Sequence, residues 1–335
     1  MRLVGIKSLE PGQELARPVY TSGGKVVLNS GITLTEGFIN KIQQIGVNKV
    51  YIVDERFGDI EINQPLDLSI RINVTKVLTE NYMKVHTSKS IDEYEIKDAA
   101  EKIVDYTREY RGKGMSILST DAVNDYIIEH SVNVAILTAF IGNQMSYNFG
   151  QLCDLVTGAL IHDIGRKNDA EEKPEHVNIG FEAVRVCRGF SLHSTKVCYE
   201  HHENYNGSGY PRKIKGNDIS EFSRIIRVAD YYDNILHGYG DNNTSLMPHQ
   251  AFEGVLAVAG QVLDPEIIEK FRDTVVFYPN GSTVLLSNGL NGVVIKQNMG
   301  SPQRPIVRVF NDSGVIGSID LLKSLTLFVQ EVMLV

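Results

Sequence analysis

A histidine–aspartate pair at the end of an apolar run is the feature that most constrains this sequence. His162 and Asp163 follow the run 155–161, which predicts a buried helix, and Gly165 is a typical helix stop. Buried ionisable side chains need partners, because an unpaired polar group in apolar surroundings costs free energy. The pair therefore requires either hydrogen-bonding neighbours at a capped helix end or a metal ion, and the pair alone leaves both explanations open.

Length and composition indicate a multidomain globular protein. The chain has 335 residues, of which 42% are hydrophobic and 22% charged. The net charge of −8 argues against a nucleic-acid polymer or an anionic membrane as partner. No apolar stretch reaches the length of about 18 residues that a membrane-spanning helix needs. Three cysteines without a CxxC spacing favour buried thiols in a reducing compartment, so we expect a cytoplasmic protein.

The hydrophobic pattern divides the chain into four segments. Residues 1–60 predict a small α+β regulatory module with a helix that Thr35 would cap. Residues 61–120 predict a linker and connecting helices, which offer a surface for a homodimer. Residues 121–272 predict an all-helical core with about seven helices, and residues 273–335 predict a small β-barrel or sandwich. The strand-like runs of that last segment are 274–278, 283–286, 292–296, 305–310 and 325–329.

Histidines are concentrated in the helical core. Six of the nine histidines fall between residues 130 and 202, and imidazole is the commonest side-chain metal ligand near neutral pH. The polar residues set against apolar helices are His130, His162, Asp163, His176, His201, His202 and Asp230. Each alone has an ordinary explanation, such as a hydrogen-bonded core histidine or an ion-paired carboxylate. Together they are hard to satisfy except around shared metal ions.

The chemistry of these side chains indicates which ions they would bind. Nitrogen and oxygen ligands without cysteine disfavour a structural zinc and suit iron, manganese or a catalytic zinc. More than four ligands indicate more than one ion, and two neighbouring ions are a common device for hydrolysing phosphoesters. A glycine-containing loop, residues 203–211, directly follows the double histidine and would form one wall of such a site.

Three motifs, in this order along the chain, resemble the HD-GYP family. They are His162-Asp163-Ile164-Gly165, His201-His202-Glu203 and Gly207-Ser208-Gly209-Tyr210-Pro211. The family is a subgroup of the HD phosphohydrolases, and the resemblance covers about residues 121–272. It implies an HD-type helical core and hydrolysis of cyclic di-GMP to linear pGpG, with GMP as a further product. It also implies a hydroxide bridging two divalent metal ions, Fe or Mn.

The resemblance implies a role for each matching residue. The implied metal ligands are His162, Asp163, His176, His201, His202 and Asp230. Asp163 would bridge the two ions and take part in catalysis together with Arg166, which would also bind a substrate phosphate. Gly209, Tyr210 and Asp233 would shape the substrate site.

Three departures from the family pattern bear on activity. His130 is similar to the histidine that some members use for a third metal, but Tyr126 stands where those members carry an acidic residue, so two ions are expected. Arg166 stands where the family usually has lysine, and 234–242 contains no lysine or arginine to hold the substrate. Two alternatives therefore stay open: a weakly active or inactive cyclic-dinucleotide receptor, and a phosphohydrolase of another nucleotide.

Overall fold

The chain forms two compact units in the computed structural model. The structure describes residues 1–21, 26–62, 66–109, 126–167, 174–238, 246–298, 300–311 and 313–333. Of the described residues, those within 1–62 and 275–333 belong to the first unit, and those within 66–109 and 126–274 belong to the second. The four-segment division stays a prediction, but both ends of the chain belong to the same unit.

The first unit, in its described residues, contains short strands and one α-helix. They are β1 (Arg2–Gly5), β2 (Val19–Tyr20), β3 (Val26–Leu28), α1 (Glu36–Gln44), β4 (Lys49–Ile52), β5 (Thr283–Leu286), β6 (Asn291–Lys296), β7 (Ile306–Asn311), β8 (Gly314–Asp320) and β9 (Val329–Met333). Thr35 caps α1 as predicted, because its hydroxyl accepts a hydrogen bond from the Phe38 amide at 3.3 Å. β1 pairs antiparallel with β4, and β2 pairs antiparallel with β3.

The C-terminal strands form a five-stranded antiparallel sheet in the order β8-β7-β6-β5-β9. Within the described residues β8 and β9 are its two edges and do not pair with each other, so the predicted closed barrel or sandwich is not confirmed. The strand predicted at 274–278 was wrong. Val275 makes a single β-bridge and no strand forms there, while Val275, Val276 and Phe277 are buried.

The described residues of the second unit form helices joined by loops, and none of them forms a strand. Its helices are α2 (Leu68–Thr87), α3 (Glu93–Glu109), α4 (Tyr126–Gln144), α5 (Phe149–Ile161), α6 (Glu175–Val184), α7 (Leu192–Glu200), α8 (Glu221–His237), α9 (Pro248–Ala257) and α10 (Pro265–Arg272). The helices α4 to α10 make up the all-helical core that the sequence pattern predicts for 121–272. Across the described part of the chain, no helix is both long and apolar enough to cross a membrane.

The helix α4 lies at the centre of the second unit. It is buried along nearly its whole length, and α2, α3, α5, α8 and α10 pack against it. The apolar residues Val74 and Leu78 of α2, and Ile96 and Ile103 of α3, are fully buried within the chain. The apolar faces of α2 and α3 are therefore used in packing within one molecule, and the homodimer stays a prediction.

Candidate metal centre

Seven polar side chains converge inside the helical unit. They are His130 of α4, His162 and Asp163 after α5, His176 of α6, His201 and His202 after α7, and Asp230 of α8. All are buried, and the most exposed is His202 at 7%. The structure thus brings together every metal-ligand candidate that the sequence predicts.

The turn after α5 is held against α6 by a glycine. The helix α5 ends at Ile161, and residues 162–165 form the turn that carries His162 and Asp163. A Cβ atom on Gly165 would lie only 2.1 Å from the carbonyl oxygen of His176. Because only glycine permits this approach, the turn and the first residues of α6 come close enough for His176 to face Asp163.

The first ligand group consists of Asp163, His176, His201 and His202, whose ligand atoms all lie within 4.8 Å of one another. Asp163 Oδ1 lies 3.3 Å from the Nε2 atoms of both His176 and His201. Those two Nε2 atoms are themselves 3.2 Å apart. Imidazole nitrogens crowded around one carboxylate oxygen are an arrangement that a shared cation would satisfy.

The second ligand group consists of His130, His162 and Asp230, whose ligand atoms also lie within 4.8 Å of one another. Asp230 Oδ1 lies 3.1 Å from His130 Nε2. Asp163 Oδ2 faces this group, at 3.6 Å from His162 Nε2 and 4.0 Å from His130 Nε2. Asp163 therefore turns one carboxylate oxygen toward each group, and His130 lies within the second group rather than apart from it.

Backbone carbonyls orient two of the imidazoles. Nδ1 of His162 lies 2.7 Å from the Ala159 carbonyl oxygen, and Nδ1 of His201 lies 3.0 Å from that of Val197. A carbonyl oxygen only accepts, so Nδ1 must donate and the lone pair of each ring is left on Nε2. Burial lowers the pKa of His162 to about 4, which keeps the ring neutral and able to bind a metal.

Both carboxylates are ionised in their buried positions. Burial alone would raise the pKa of Asp163, but His162, His176 and further neighbours outweigh burial and hold it well below its usual range. Burial likewise opposes ionisation of Asp230, whose pKa is nevertheless lowered by His130 and by other cationic neighbours. Ionised carboxylates and neutral imidazoles are the forms in which these side chains bind metals.

The donor set fits divalent iron, manganese or catalytic zinc. Nε2 of His162 is buried and has no hydrogen-bond partner among the described residues. No cysteine belongs to either group in the described ranges, and the buried thiol of Cys198 instead contacts the carbonyl oxygen of Ile161. Nitrogen and oxygen donors in two adjoining groups suit a pair of such ions better than a closed structural zinc site.

Arg166 and Asp233 each contact one of the candidate metal ligands. Arg166 is 8% exposed, and its Nη1 donates to Asp163 Oδ2 at 2.9 Å. Asp233 is completely buried, and its carboxylate lies 2.8 Å from His130 Nδ1 and 3.1 Å from His237 Nδ1. The predicted position of Asp233 on the substrate wall therefore differs from the structure, where Asp233 lies behind His130 and orients it.

Two carboxylates surround His130. Burial lowers the pKa of His130, but Asp230 and Asp233 outweigh burial and raise it to about 10. A metal ion bound to the second group would take the place of the proton on His130 Nε2. The Asp233 carboxylate would then hold the remaining Nδ1 proton and fix the plane of the ring.

The loop after α7 places an aromatic ring on the first ligand group. Tyr210 stacks on His202, with ring centroids 4.7 Å apart and an interplanar angle of 20°. A Cβ atom on Gly209 would lie 2.3 Å from the carbonyl oxygen of His202, so this fold of the loop requires glycine. Glu203 accepts from the amides of Arg212 and Lys213 and anchors the far side of the loop.

Two residues of α8 that were not predicted from the sequence, Arg227 and Asn234, also contact Asp230. Asp230 accepts a hydrogen bond from Arg227 Nη1 at 2.8 Å and from Asn234 Nδ2 at 2.7 Å. Tyr126 in turn donates its hydroxyl proton to Asn234 Oδ1. Helical spacing was the available signal, because residues three before and four after Asp230 share its face. The final residues of the 234–242 segment, from 239 onward, lie outside the described residues.

Comparison with known proteins agrees with this architecture. Residues 190–267 match the family model described as HD domain, and residues 283–334 match one described as KOW domain associated with HD domain. The first match contains His201, His202 and Asp230. The second unit therefore carries an HD domain.

The chain is also similar to curated proteins that are named as cyclic-dinucleotide phosphodiesterases. The cyclic di-GMP phosphodiesterase PA4108 of Pseudomonas aeruginosa is 28% identical over 66% of this chain and 57% of its own length. The 3′3′-cGAMP-specific phosphodiesterase 3 of Vibrio cholerae is 32% identical over 34% of this chain and 28% of its own. The cyclic di-GMP phosphodiesterase PdeB of Borreliella burgdorferi is 32% identical over 33% of each chain. The relatives that the chain matches are thus named as cyclic-dinucleotide phosphodiesterases, and the chain spans little more than half the length of the first of them.

Proposed function

We propose that the chain is a metal-dependent phosphodiesterase that opens a cyclic dinucleotide, with cyclic di-GMP as its first substrate. The observation that carries this proposal is the shared carboxylate of Asp163, whose two oxygens face two adjoining ligand groups. A shared carboxylate holds two ions close together, and phosphoester hydrolysis by two metals uses a separation of about 3.5–4 Å. The names of the relatives support the same substrate class.

Different residues would bind the metal ions and the substrate. Each ligand group would hold one divalent ion, iron or manganese, and the ion pair would supply a nucleophile from water and neutralise phosphoryl charge. Asp163 sets the distance between the groups. Arg166 lies beside Asp163 and would donate to a phosphoryl oxygen, while Tyr210 would present its ring to a base of the substrate.

Hydrolysis would proceed one phosphodiester at a time. Addition of water at phosphorus breaks one bridging P–O bond, and the ribose oxygen leaves as a hydroxyl after taking up a proton. The first step converts cyclic di-GMP to linear pGpG, and a second step releases GMP. The linear product still has one phosphodiester, so the same ligand groups could act on it.

A second candidate substrate is 3′3′-cGAMP. Three relatives from Vibrio cholerae are named as 3′3′-cGAMP-specific phosphodiesterases, with identities of 32%, 32% and 31%. The two cyclic dinucleotides share the phosphate chemistry and differ in one base. Residues that contact the bases, rather than the metal ligands, would therefore decide between the two substrates.

The proposal is tested by following nucleotide turnover with the metal-loaded chain. Protein loaded anaerobically with Fe²⁺ or Mn²⁺ is incubated with cyclic di-GMP or 3′3′-cGAMP, and products are separated by chromatography. We expect linear dinucleotide to form with the wild type and not with Asp163→Asn. Glu182→Gln, at an exposed carboxylate paired with Arg185, is the matched control and should retain activity.

A receptor would behave differently in the same assay. It would bind a cyclic dinucleotide in calorimetry and leave it intact although two ions are bound. That result would overturn the proposed hydrolysis. Turnover of a simple phosphomonoester but of neither cyclic dinucleotide would move the activity to another substrate class.

A further inference from the structure

Arg227 touches one side chain of each ligand group. It lies on α8, three residues before Asp230, and its Nη1 donates to Asp230 Oδ2 at 2.8 Å. The same nitrogen lies 3.4 Å from Nδ1 of His202. The side chain of Arg227 is 17% exposed, about twice the exposure of the Arg166 side chain at 8%. Arg227 therefore places a permanent positive charge at the junction of the two groups.

The edge of the Arg227 guanidinium that carries Nε and Nη2 makes only one long contact among the described residues. Nε of Arg227 is buried and has no hydrogen-bond partner in the described part of the chain. Its Nη2 lies 3.4 Å from Asn204 Oδ1, which is a long contact to a neutral acceptor. Nε–H and Nη2–H together form the paired donors with which arginine grips an anion. Arg56 of this chain uses the same two atoms on Asp54, at 3.0 Å and 2.8 Å.

A cyclic dinucleotide would supply the missing anion. It carries two phosphodiesters, and only one of them reacts at a time. The other needs a cation, yet residues 234–242 contain no lysine or arginine. Arg166 donates from Nη1 to Asp163 Oδ2 and is assigned to the reacting phosphate under the proposed function. Arg227 is a second cation beside the ligand groups, and among the described residues its paired donors contact no carboxylate.

We propose that Arg227 binds the phosphate of the cyclic dinucleotide that is not being cleaved. Nε and Nη2 take two phosphate oxygens, and the phosphate displaces the amide oxygen of Asn204 from this edge. Nη1 stays on Asp230, so phosphate binding and the second ligand group are joined through one side chain. The proposal rests on the proposed function and identifies a residue that selects substrates with two phosphates.

The competing explanation is that Arg227 only positions Asp230 and His202. In that case its removal would weaken hydrolysis of any phosphodiester to the same extent. A substrate with a single phosphodiester therefore separates the two roles. Bis(p-nitrophenyl) phosphate is such a substrate, because it offers the reacting group without a second phosphate.

The experiment compares Arg227→Gln and Arg227→Lys with the wild type on both substrates, cyclic di-GMP and bis(p-nitrophenyl) phosphate. Rates are expressed per bound metal ion, measured by mass spectrometry, so partial loss of metal does not distort the comparison. Arg185→Gln is the matched control, since Arg185 is an exposed arginine paired with Glu182. It should leave both activities unchanged.

We expect kcat/KM for cyclic di-GMP to fall more than kcat/KM for the small diester in both Arg227 variants. The ratio of the two should change by roughly 10- to 100-fold, the loss expected for a charge-assisted hydrogen bond, and mainly through KM. Lysine keeps the charge without the paired donors, so Arg227→Lys should show an intermediate ratio. If Arg227→Gln loses all its metal, the ratio of the two kcat/KM values measured for Arg227→Lys decides whether Arg227 binds the second phosphate.

Equal losses on both substrates would overturn the role of Arg227 in phosphate binding and leave the proposed hydrolysis intact. Arg227 variants with full activity on both substrates, and hence an unchanged ratio of the two kcat/KM values, would overturn that role as well. A wild type that cleaves the small diester but no cyclic dinucleotide would instead overturn the proposed function, and the assignment of Arg227 with it.

Discussion

Replacing Gly165 with alanine would push a methyl group into the first residues of α6. The new Cβ would lie 2.1 Å from the carbonyl oxygen of His176 and 2.5 Å from the amide nitrogen of Gly180, whereas ordinary contacts begin at 3.4 Å. Both obstacles are backbone atoms, so the helix or the turn must move by more than about 1 Å. Such overpacking destabilises a fold by about 1–3 kcal/mol.

The same shift would displace a candidate metal ligand, His176. The imidazole of His176 lies 3.3 Å from Asp163 Oδ1, and it would move with the backbone that Gly165→Ala displaces. A misplacement of about 1 Å costs on the order of 100-fold in catalysis. We therefore expect loss of the ion in the first ligand group together with a lower urea midpoint. His176→Ala, which removes the ligand without moving the backbone, should lose the same ion.

A glycine at the start of α5 provides the control. Gly150→Ala would place its Cβ 3.5 Å from Asn148 Oδ1, which is an ordinary contact. Alanine is favoured over glycine in a helix by about 0.5–1 kcal/mol, so this variant should be as stable as the wild type or more stable. If Gly165→Ala unfolds at the wild-type urea concentration and retains both ions, the close approach of the turn and α6 does not hold the first ligand group.

Three further perturbations test separate parts of the structure. Asp163→Asn should reduce bound metal in both ligand groups, and loss of a single ion per chain by mass spectrometry would contradict the shared carboxylate. Asp233→Asn should weaken metal binding by about 10- to 100-fold through His130, because it removes the carboxylate that orients the ring, and a metal titration measures this. Thr35→Ala should cost about 1 kcal/mol in the first unit by removing the cap on the Phe38 amide, and an unchanged midpoint in chemical denaturation would argue against that cap.

The convergence of the candidate metal ligands was predictable because polar residues stand out inside apolar helices. His162, Asp163 and Asp230 each follow or interrupt a run of buried aliphatic residues, and a buried ionisable group must have a partner. The pattern could not show which carboxylate would face two groups at once. That property depends on how α5 and α6 meet at Gly165, which is a tertiary contact.

Asp233 shows where a helical pattern becomes ambiguous. It lies three residues after Asp230 and therefore points to a similar side of α8. The sequence cannot tell whether such a side chain lines an open site or packs behind a ligand. Its complete burial depends on α4, which brings His130 against it, whereas His237 lies four residues further along α8 itself.

The first unit was harder to predict because its contacts span the whole chain. Leu3 of β1 forms a bridge with Ser282, and Arg308 of β7 forms a bidentate ion pair with Asp59. Periodicity along the chain contains no information on such distant partners. The same limit applies to β8, whose largely exposed residues lack the alternation of a half-buried strand.

Anomalous diffraction from crystals of the metal-loaded chain would show whether two ions share the carboxylate of Asp163. We expect two peaks, one within the first ligand group and one within the second, with an oxygen of Asp163 bound to each ion. A single peak, or two ions that do not share Asp163, would contradict this expectation.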